Sequence, residues 1–471
     1  MSESVSITVV GSGYVGLVAA ACLAEIGHRI LCVDNDEAKV KMLNEGGLPI
    51  HEASLPELLG RYRESGQIRF TTDLRNATRE SQVVFIAVGT PQGEAGDADL
   101  SYVESVAFGI ANSIDSYKLI VEKSTVPVYT SEWIRRTLER NGVKRSLFDV
   151  ASNPEFLREG TAVQDFLHPD RIVLGADGAE AAALLAQIYR PLSSGSYYSR
   201  PGSVPGECSA AEPPPVVNTS TKAAEIIKHA SNAFLAMKIS FINAVADLCE
   251  AVDTDVEHVA RGMGLDRRIG KRFLNAGIGY GGSCFPKDVA AFRHVAQQMG
   301  IDFTLLAEVE RINETQKERF FEKVRSALWT LRGKRLGVLG LAFKGGTDDI
   351  RESPALKIIR MLHDAGASVY AYDPAAMERA KEELPPDDLM RYAGDPYSAA
   401  DGADALLILT DWQVFRELDL SRMRSLLRYP IVVDGRNLYD PHAMEELGFT
   451  YISMGRGQRV PAAAGSAKLR R

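Results

Sequence analysis

The sequence predicts an α/β protein in which two doubly wound, parallel-sheet units flank a helical segment. Three observations predict it. A strand, a glycine turn, a helix, a second strand and an acid follow one another between Ser6 and Asp34. The same order returns between Arg335 and Asp373. Between them, from about Thr221 to Ala251, runs a long helical pattern that is apolar on more than a narrow stripe. Length agrees: 471 residues exceed one core of ordinary size and suggest about three domains.

The first unit opens with the β-branched run Ser6 to Val10, which ends in Gly11-Ser12-Gly13-Tyr14-Val15-Gly16. A helix over Leu17 to Ile26 and a strand over Ile30 to Val33 follow, closed by Asp34. In a chain with 40 glycines the bare G-x-G-x-x-G spacing carries little weight, but its strand-to-helix context carries much. The first glycine permits a tight turn, the second lets backbone N–H groups approach a pyrophosphate, and the third lets the helix pack on the strand. Asp34 would accept hydrogen bonds from a ribose diol and repel a 2'-phosphate, so NAD is expected over NADP. The strand Val83 to Val88 then runs into Gly89-Thr90-Pro91, Lys118 to Glu122 into Ser124-Thr125-Val126-Pro127, and Val150 to Ser152 into Asn153-Pro154-Glu155. Loops at the carboxyl ends of parallel strands are where ligands sit in such sheets.

Residues 201–215 are rich in Pro, Gly, Ser and Ala and read as a flexible excursion. The helical pattern from Thr221 that follows suits a helix buried on several sides or shared between subunits. It carries Lys228 and Asn232 at i and i+4, on one face. In the second unit the strand Arg335 to Leu339, the helix Pro354 to Ala365 and the strand Ser368 to Tyr372 repeat the first plan, with further strands at Ala405 to Leu409 and Ile431 to Val433. Its turn, Gly340 to Gly346, lacks the dinucleotide spacing and carries Lys344, so it is read as a nucleotide-diphosphate site. The tail from Arg459 is expected to fray.

Composition narrows the function. With 45% hydrophobic and 25% charged residues the chain is globular. Its formal net charge of -8 gives no general attraction to nucleic acid or an anionic membrane, so an anionic ligand must be held by local cations. No segment is expected to approach the apolar length of a membrane span, and the N-terminus lacks a basic leader, which together point to the cytoplasm. Five scattered cysteines with no C-x-x-C pair argue against disulfides and zinc, and no metal site is expected.

One of those cysteines stands apart. In Gly279-Tyr280-Gly281-Gly282-Ser283-Cys284-Phe285-Pro286-Lys287-Asp288 a thiol lies in a glycine-rich loop with a cation and a carboxylate behind it. A nearby positive charge or a helix N-terminus favours the nucleophilic thiolate. Lys287 is the expected charge, and a helix is expected to begin near it.

These motifs resemble the nucleotide-sugar dehydrogenase family, in its UDP-glucose 6-dehydrogenase branch. Six blocks stand in that family's order: GSGYVG at Gly11 to Gly16, VGTP at Val88 to Pro91, STVP at Ser124 to Pro127, NPEFLREG at Asn153 to Gly160, GYGGSCFPKD at Gly279 to Asp288, and AFKGGTDDIRESP at Ala342 to Pro354. The resemblance implies two Rossmann-like domains joined by a central helical domain with a long dimerisation helix. The expected parts are an NAD domain over 1–200, an excursion over 201–218, a helical domain over 219–330, a UDP-sugar domain over 331–458 and a disordered tail over 459–471. It implies oxidation of UDP-glucose to UDP-glucuronate with two NAD in turn, and a homodimer or higher homo-oligomer.

By the same resemblance, Cys284 forms a thiohemiacetal and then a thioester, Lys228 and Asn232 hold the oxyanions, and Glu155, Asp288 and Thr125 serve water activation. The resemblance favours Glu155 as the acid/base of thioester hydrolysis, with Asp288 orienting Lys228 or the water; the sequence itself does not separate the two roles. For NAD the resemblance implies Gly11, Gly13, Tyr14, Val15, Gly16, Asp34, Lys39, Thr90, Thr125, Glu159, Lys287 and Arg351. For the UDP-sugar it implies Glu155, Phe156, Leu157, Lys228, Asn232, the loop Asn275 to Gly281 with Gly279 and Tyr280, Lys344 and Arg436, with Arg268 offered across a dimer interface. The same mechanism on GDP-mannose or a UDP-N-acetylhexosamine is the alternative. A two-electron hydroxyacid dehydrogenase would share the NAD fold but have no use for Cys284.

Overall fold

A computed structural model describes residues 4–93, 97–206 and 212–457. The described residues form two compact units, one from those within 4–233 and 287–303, the other from those within 234–286 and 304–457. The division runs through the helical segment expected over 219–330: the helix Thr221–Ala251 begins in the first unit and ends in the second, and Phe285–Gln298 passes from the second into the first.

The first unit is built on β1 (Ser6–Val10), β2 (Arg29–Val33), β3 (Ile68–Thr71), β4 (Val83–Ile86), β5 (Lys118–Glu122), β6 (Phe148–Ser152), β7 (Ile172–Ala176) and β8 (Val216–Thr219). They lie in the order β3-β2-β1-β4-β5-β6-β7-β8, parallel throughout except for the antiparallel β6–β7 pair. All residues of β4 and β5 are buried, as expected of central parallel strands covered on both faces. The helix Tyr14–Glu25 is buried from Gly16 onward, because its run of Leu, Val and Ala leaves no polar side to turn to water. Strand order reverses between β1 and β4, which opens a crevice at their carboxyl ends, where the glycine turn lies.

Two differences from the sequence reading follow from local context. The excursion expected over 201–218 runs into β8, whose residues pair with β7 from Ile172↔Val216 to Gly175↔Thr219. The alternating signal that marks an edge strand is weak in Val-Val-Asn-Thr, and the preceding prolines concealed it. Within that stretch residues 207–211, like the tail 459–471, lie outside the described residues. The second difference concerns apolar length. Thr221–Ala251 is long and apolar enough to cross a membrane by length and composition, with a mean hydropathy of 1.3 over its most apolar window. It carries Glu225, Lys228, Asn232 and Asn243 buried within the protein, as a core helix does and a lipid-facing one does not.

The second unit holds β9 (Arg335–Leu339), β10 (Ser368–Tyr372), β11 (Met390–Tyr392), β12 (Ala405–Ile408), β13 (Ile431–Asp434) and β14 (Thr450–Ser453), all parallel in the order β11-β10-β9-β12-β13-β14. The first unit's turn chemistry recurs in it. Gly11 has φ +104 and a Cβ there would lie 2.5 Å from the Ala87 carbonyl oxygen; Gly340 has φ +102 and a Cβ there would lie 2.3 Å from Thr410 Cβ. Both positions demand a left-handed backbone and no side chain. Gly340→Ala is therefore expected to lower the unfolding free energy by about 1–3 kcal/mol, read from urea melts, with the more open Gly402→Ala losing less. Equal melts for the two variants would show that the close approach to Thr410 carries no strain.

Candidate active site

In the first unit, the cofactor turn is fixed by an acid at the end of β2. Asp34 Oδ2 accepts from Ser12 N at 2.8 Å, Ser12 Oγ at 2.6 Å and Lys39 Nζ at 3.2 Å, and Oδ1 accepts from Asp36 N at 3.1 Å. Burial opposes its ionisation, but the Ser12 and Asp36 donors and the Lys39 charge hold its pKa below the usual carboxylate range. A Cβ on Gly16 would lie 1.8 Å from the Gly11 oxygen, whereas one on Gly13 would meet nothing within 4 Å. The turn is thus packed on the helix side and open at Gly13, with the Tyr14–Glu25 N-terminus behind it. This is the shape a dinucleotide pyrophosphate requires, so the residues fit NAD. Val15 packs partly buried against the unit's core.

The counterpart acid of the second unit is differently employed. Asp373 Oδ2 accepts from Leu341 N at 2.8 Å, Ala342 N at 3.1 Å and Trp412 Nε1 at 3.1 Å, while Oδ1 accepts from Ala375 N and Ala376 N at 2.9 Å each. It is 1% exposed. Asp34 Oδ1 accepts one main-chain N–H and the residue is 8% exposed; Asp373 Oδ1 accepts two and its residue is sealed more deeply, in keeping with the reading of this turn as something other than a second dinucleotide site.

Around the carboxyl ends of the first sheet, four predicted residues meet in pairs. Lys228 Nζ donates to Glu155 Oε1 at 2.8 Å, and Asn232 Nδ2 donates to Asp288 Oδ2 at 2.6 Å. All four are buried, and the i, i+4 spacing of Lys228 and Asn232 sets the two pairs one helical turn apart. Glu155 Oε2 also accepts from Leu157 N at 2.6 Å. Asp288 accepts from Lys287 Nζ at 2.8 Å, so the cation expected to serve the thiol is paired with this carboxylate. Burial would raise the Asp288 pKa, but the charges of Lys287, Lys228 and His229 outweigh it and keep the group below the ordinary carboxylate value. Thr90 Oγ1 donates to the Thr125 carbonyl at 2.8 Å, joining the two loops that follow β4 and β5. Phe156 lies under the Arg171 guanidinium, 3.5 Å from its ring centroid. Glu159 precedes Gly160, whose N–H donates to Glu52 Oε2 at 2.7 Å and to Tyr14 Oη at 2.9 Å.

The other predicted residues lie in the second unit. Cys284 is half-buried, its Sγ 3.5 Å from Ser283 Oγ, and it immediately precedes the helix Phe285–Gln298, whose N-terminus favours a thiolate. Asn275 is exposed, whereas Gly279, Tyr280 and Gly281 are buried. Arg436 donates to three carbonyls, Leu409 through Nε at 2.9 Å, Gly279 through Nη1 at 3.0 Å and Phe343 through Nη2 at 2.9 Å, and so holds loops together. Lys344 Nζ stands 5.6 Å from the Phe343 ring centroid. Arg351 pairs with Asp349 through Nη2 at 2.7 Å, and the exposed Arg268 pairs with Asp266 through Nη2 at 2.6 Å.

Sequence reasoning missed three buried groups that hold the first unit's site. Lys123 Nζ donates to Asn153 Oδ1 at 3.0 Å and to the Asn153 carbonyl at 3.3 Å, fixing the strand end before Glu155. Burial pulls its ammonium down to about 8 against the opposing charges of Glu155 and Glu122. Glu52 accepts from Tyr14 Oη and from Ala162 N, at 2.8 Å for the latter, and so ties the dinucleotide turn to the loop after Glu159. His229 donates through Nε2 to the Val126 carbonyl at 2.6 Å and stacks on Phe292 at 5.9 Å. A charged residue at the end of an apolar strand was the available signal for Lys123; nothing local distinguished Glu52 or His229.

Comparison with known proteins bears on all of this. Residues 5–193 match the NAD binding domain of the UDP-glucose/GDP-mannose dehydrogenase family, 222–315 its central domain and 337–441 its UDP binding domain. The chain belongs to the UDP-glucose/GDP-mannose dehydrogenase family. Among its relatives, a UDP-glucose 6-dehydrogenase of Rhizobium meliloti is 45% identical over 96% of this chain and 99% of the relative. UDP-glucose 6-dehydrogenase TuaD of Bacillus subtilis is 43% identical over 96% and 93%. A UDP-glucose dehydrogenase structure from Pyrobaculum islandicum superposes with a TM-score of 0.85 at 39% identity, covering 96% of this chain and 97% of that one. As in the fold class expected from the sequence, this family member has two Rossmann-like domains and a central helical domain.

His229 offers a test of the electrostatics. Burial chiefly, with the nearby Lys287 and Lys228 charges, lowers its pKa against the opposing pull of Asp288 and the Val126 carbonyl. The unfolded chain therefore takes up this proton first as pH falls, so the contribution to stability is complete above about 6.5 and lost below it. His229→Gln, which keeps a donor but does not titrate, is expected to narrow its stability gap to wild type as pH drops from about 7.5 to about 5.5. A gap that stays constant across that range would mean His229 is not held neutral.

Proposed function

We propose that the chain oxidises the C6 alcohol of UDP-glucose to the carboxylate, consuming two NAD per sugar and one water, through a thioester on Cys284. The observation that carries the reading is the double pairing in the first unit, Lys228 with Glu155 and Asn232 with Asp288. It supplies two buried donors for oxyanions and two carboxylates for proton transfer on one helical face. The Gly11–Gly16 turn and Asp34 would hold NAD, which when bound would supply the hydride acceptor for each of the two oxidations. Between them the Cys284 thiolate adds to the aldehyde carbon, and the new oxyanion takes a proton or hydrogen bond from Lys228 and Asn232.

Asn232 has two amide N–H groups. One is spent on Asp288 at 2.6 Å, which turns the amide plane and leaves the other for substrate oxygen. For hydrolysis we assign Glu155 as the base that takes the water proton. Its hydrogen bond to Lys228 at 2.8 Å lets the lysine balance the charge at each stage. Asp288 then acts as the orienting carboxylate, and Thr125 positions the water. The relatives' names favour UDP-glucose over other nucleotide sugars as substrate, and the second unit's Lys344 turn is the proposed seat of the UDP group.

We further propose a homodimer in the cytoplasm. Phe234, Phe241 and Leu248, seven residues apart along Thr221–Ala251, are 58%, 51% and 63% exposed, an apolar stripe that a second copy would cover. The free cysteines Cys22, Cys32, Cys249 and Cys284 suit a reducing compartment. Sedimentation equilibrium that finds only monomer at micromolar protein would contradict the dimer.

Chemistry is tested by stoichiometry and by the thiol. Wild type is expected to yield two NADH per UDP-glucose consumed, and Cys284→Ser to lose uronate formation by about a thousandfold or more, as removal of a covalent nucleophile does, with NAD affinity within about twofold. One NADH per sugar, or a serine variant at full turnover, would refute the covalent route.

A further inference from the structure

Cys284 sits at the end of a loop that cannot hold its own shape. Gly277, Gly279, Gly281 and Gly282 fall within eight residues, and two of them, Gly279 at φ +96 and Gly282 at φ +86, occupy the left-handed region. Such a segment has a large conformational freedom to lose, so the sulfur's position must be imposed from outside. The described contacts show by what. Ile278 N donates to the Gly435 carbonyl at 3.0 Å and Gly282 N to the Arg351 carbonyl at 2.9 Å, both ordinary main-chain bonds. Two side chains do something more specific. Asn243, fully buried on Thr221–Ala251, accepts from Gly277 N at 2.9 Å. Asn313, 4% exposed on the helix Thr304–Leu328, grips Tyr280 at both of its main-chain groups, with Oδ1 accepting from Tyr280 N at 2.8 Å and Nδ2 donating to the Tyr280 carbonyl at 3.0 Å.

We propose that Asn313 is the positioning residue for the Cys284 thiol, its side-chain amide acting as a one-residue strand partner for Tyr280. The inference rests on the reading of Cys284 as the nucleophile. A primary amide is the only side-chain group short enough for this place that offers a donor and an acceptor side by side in one plane, matching a peptide's N–H and C=O. The fit is tight on the loop side as well. A Cβ on Gly279 would lie 2.5 Å from Asn313 Oδ1, and one on Gly281 would lie 2.2 Å from the Glu352 carbonyl oxygen, so the loop is pressed between Asn313 and the segment before Pro354. Tyr280 is itself buried, and its ring packs edge-on against Phe285 at 5.8 Å, the first residue of the helix after the thiol. The grip on Tyr280 is thereby passed to both ends of the Gly281-to-Cys284 segment. Asn313 touches no reacting atom in this scheme; it acts through the loop.

The consequence is chemical and specific. Loosening the grip leaves the first oxidation of the alcohol in place but slows capture of the aldehyde by sulfur, so aldehyde escapes before the second oxidation. Asn313→Asp tests this in the full-length protein, since it keeps size but exchanges the donor for a carboxylate facing the Tyr280 carbonyl. Asn313→Ser, with a shorter hydroxyl that still donates and accepts, is the milder partner should the aspartate fail to fold. The readouts are uronate formed, NADH formed, aldehyde trapped by hydroxylamine, and the rate of Cys284 alkylation by iodoacetamide followed by peptide mass. For Asn313→Asp the expected result is uronate kcat down about tenfold or more with KM for NAD within about twofold, NADH per uronate above two, trapped aldehyde, and an altered alkylation rate. Asn313→Ser falls between it and wild type. Folded variants that alkylate at the wild-type rate and release no aldehyde would overturn the inference. Cys284→Ser, assayed alongside, separates the two readings: full uronate formation by that variant would overturn the role of the thiol itself.

Discussion

The proposed chemistry depends on charge that the protein has taken out of water and then paired. Lys228 and Glu155 are both buried and 2.8 Å apart. Either one alone in that place would be costly, by about 3–5 kcal/mol on the scale of broken buried pairs. A well-packed apolar pair would be at least as stable. An ion pair kept in such a place makes sense as a reagent: it stores a proton donor and a proton acceptor side by side, in surroundings where electrostatic interactions are strong. The neighbouring Asn232 and Asp288 repeat the arrangement one helical turn on, with a neutral donor in place of the charged one.

The first unit's scaffold keeps that pairing in register. Lys123 fixes Asn153, and through it the chain entering Glu155, while His229 ties the Lys228 turn of its helix to the loop after β5. These groups come from strand ends and from a helix, elements that shift little. Buried Lys123, Glu122 and Glu225 make the surroundings rich in titratable side chains beyond the two pairs. Burial raises the pKa of Glu122 well above its ordinary value, with the Glu225 charge adding to the effect.

The parts of this protein written in local pattern could be read from the sequence. The strands Ser6–Val10, Lys118–Glu122, Arg335–Leu339 and Ser368–Tyr372 and the helix Thr221–Ala251 fall where apolar periodicity put them. The short strands Ile68–Thr71, Val216–Thr219 and Met390–Tyr392 did not announce themselves, because three or four residues hold too little periodicity to separate from loop. At the site, type and spacing singled out Lys228, Asn232, Glu155 and Asp288, which the fold brings together in two pairs. Residues that hold them were not singled out. Glu52 reaches Gly160 across 108 positions, His229 reaches Val126 across 103, and Asn313 reaches Tyr280 across 33. Each is an ordinary polar side chain whose partner is a main-chain group, and main-chain groups have no sequence signature. Lys287, expected as the thiol's cation, also pairs with its neighbour Asp288 at 2.8 Å, a second use of the same charge that its position beside Cys284 did not reveal.

The central claim is that the half-oxidised sugar is held covalently on sulfur. Replacing the proposed hydrolytic base is the direct way to see it: Glu155→Gln, incubated with UDP-glucose and NAD, quenched in acid and mapped by peptide mass. A UDP-glucuronyl thioester is expected on the peptide bearing Cys284, accumulating in step with NADH and released by hydroxylamine. A variant that forms NADH and uronate while that peptide stays unmodified at every time point would contradict it.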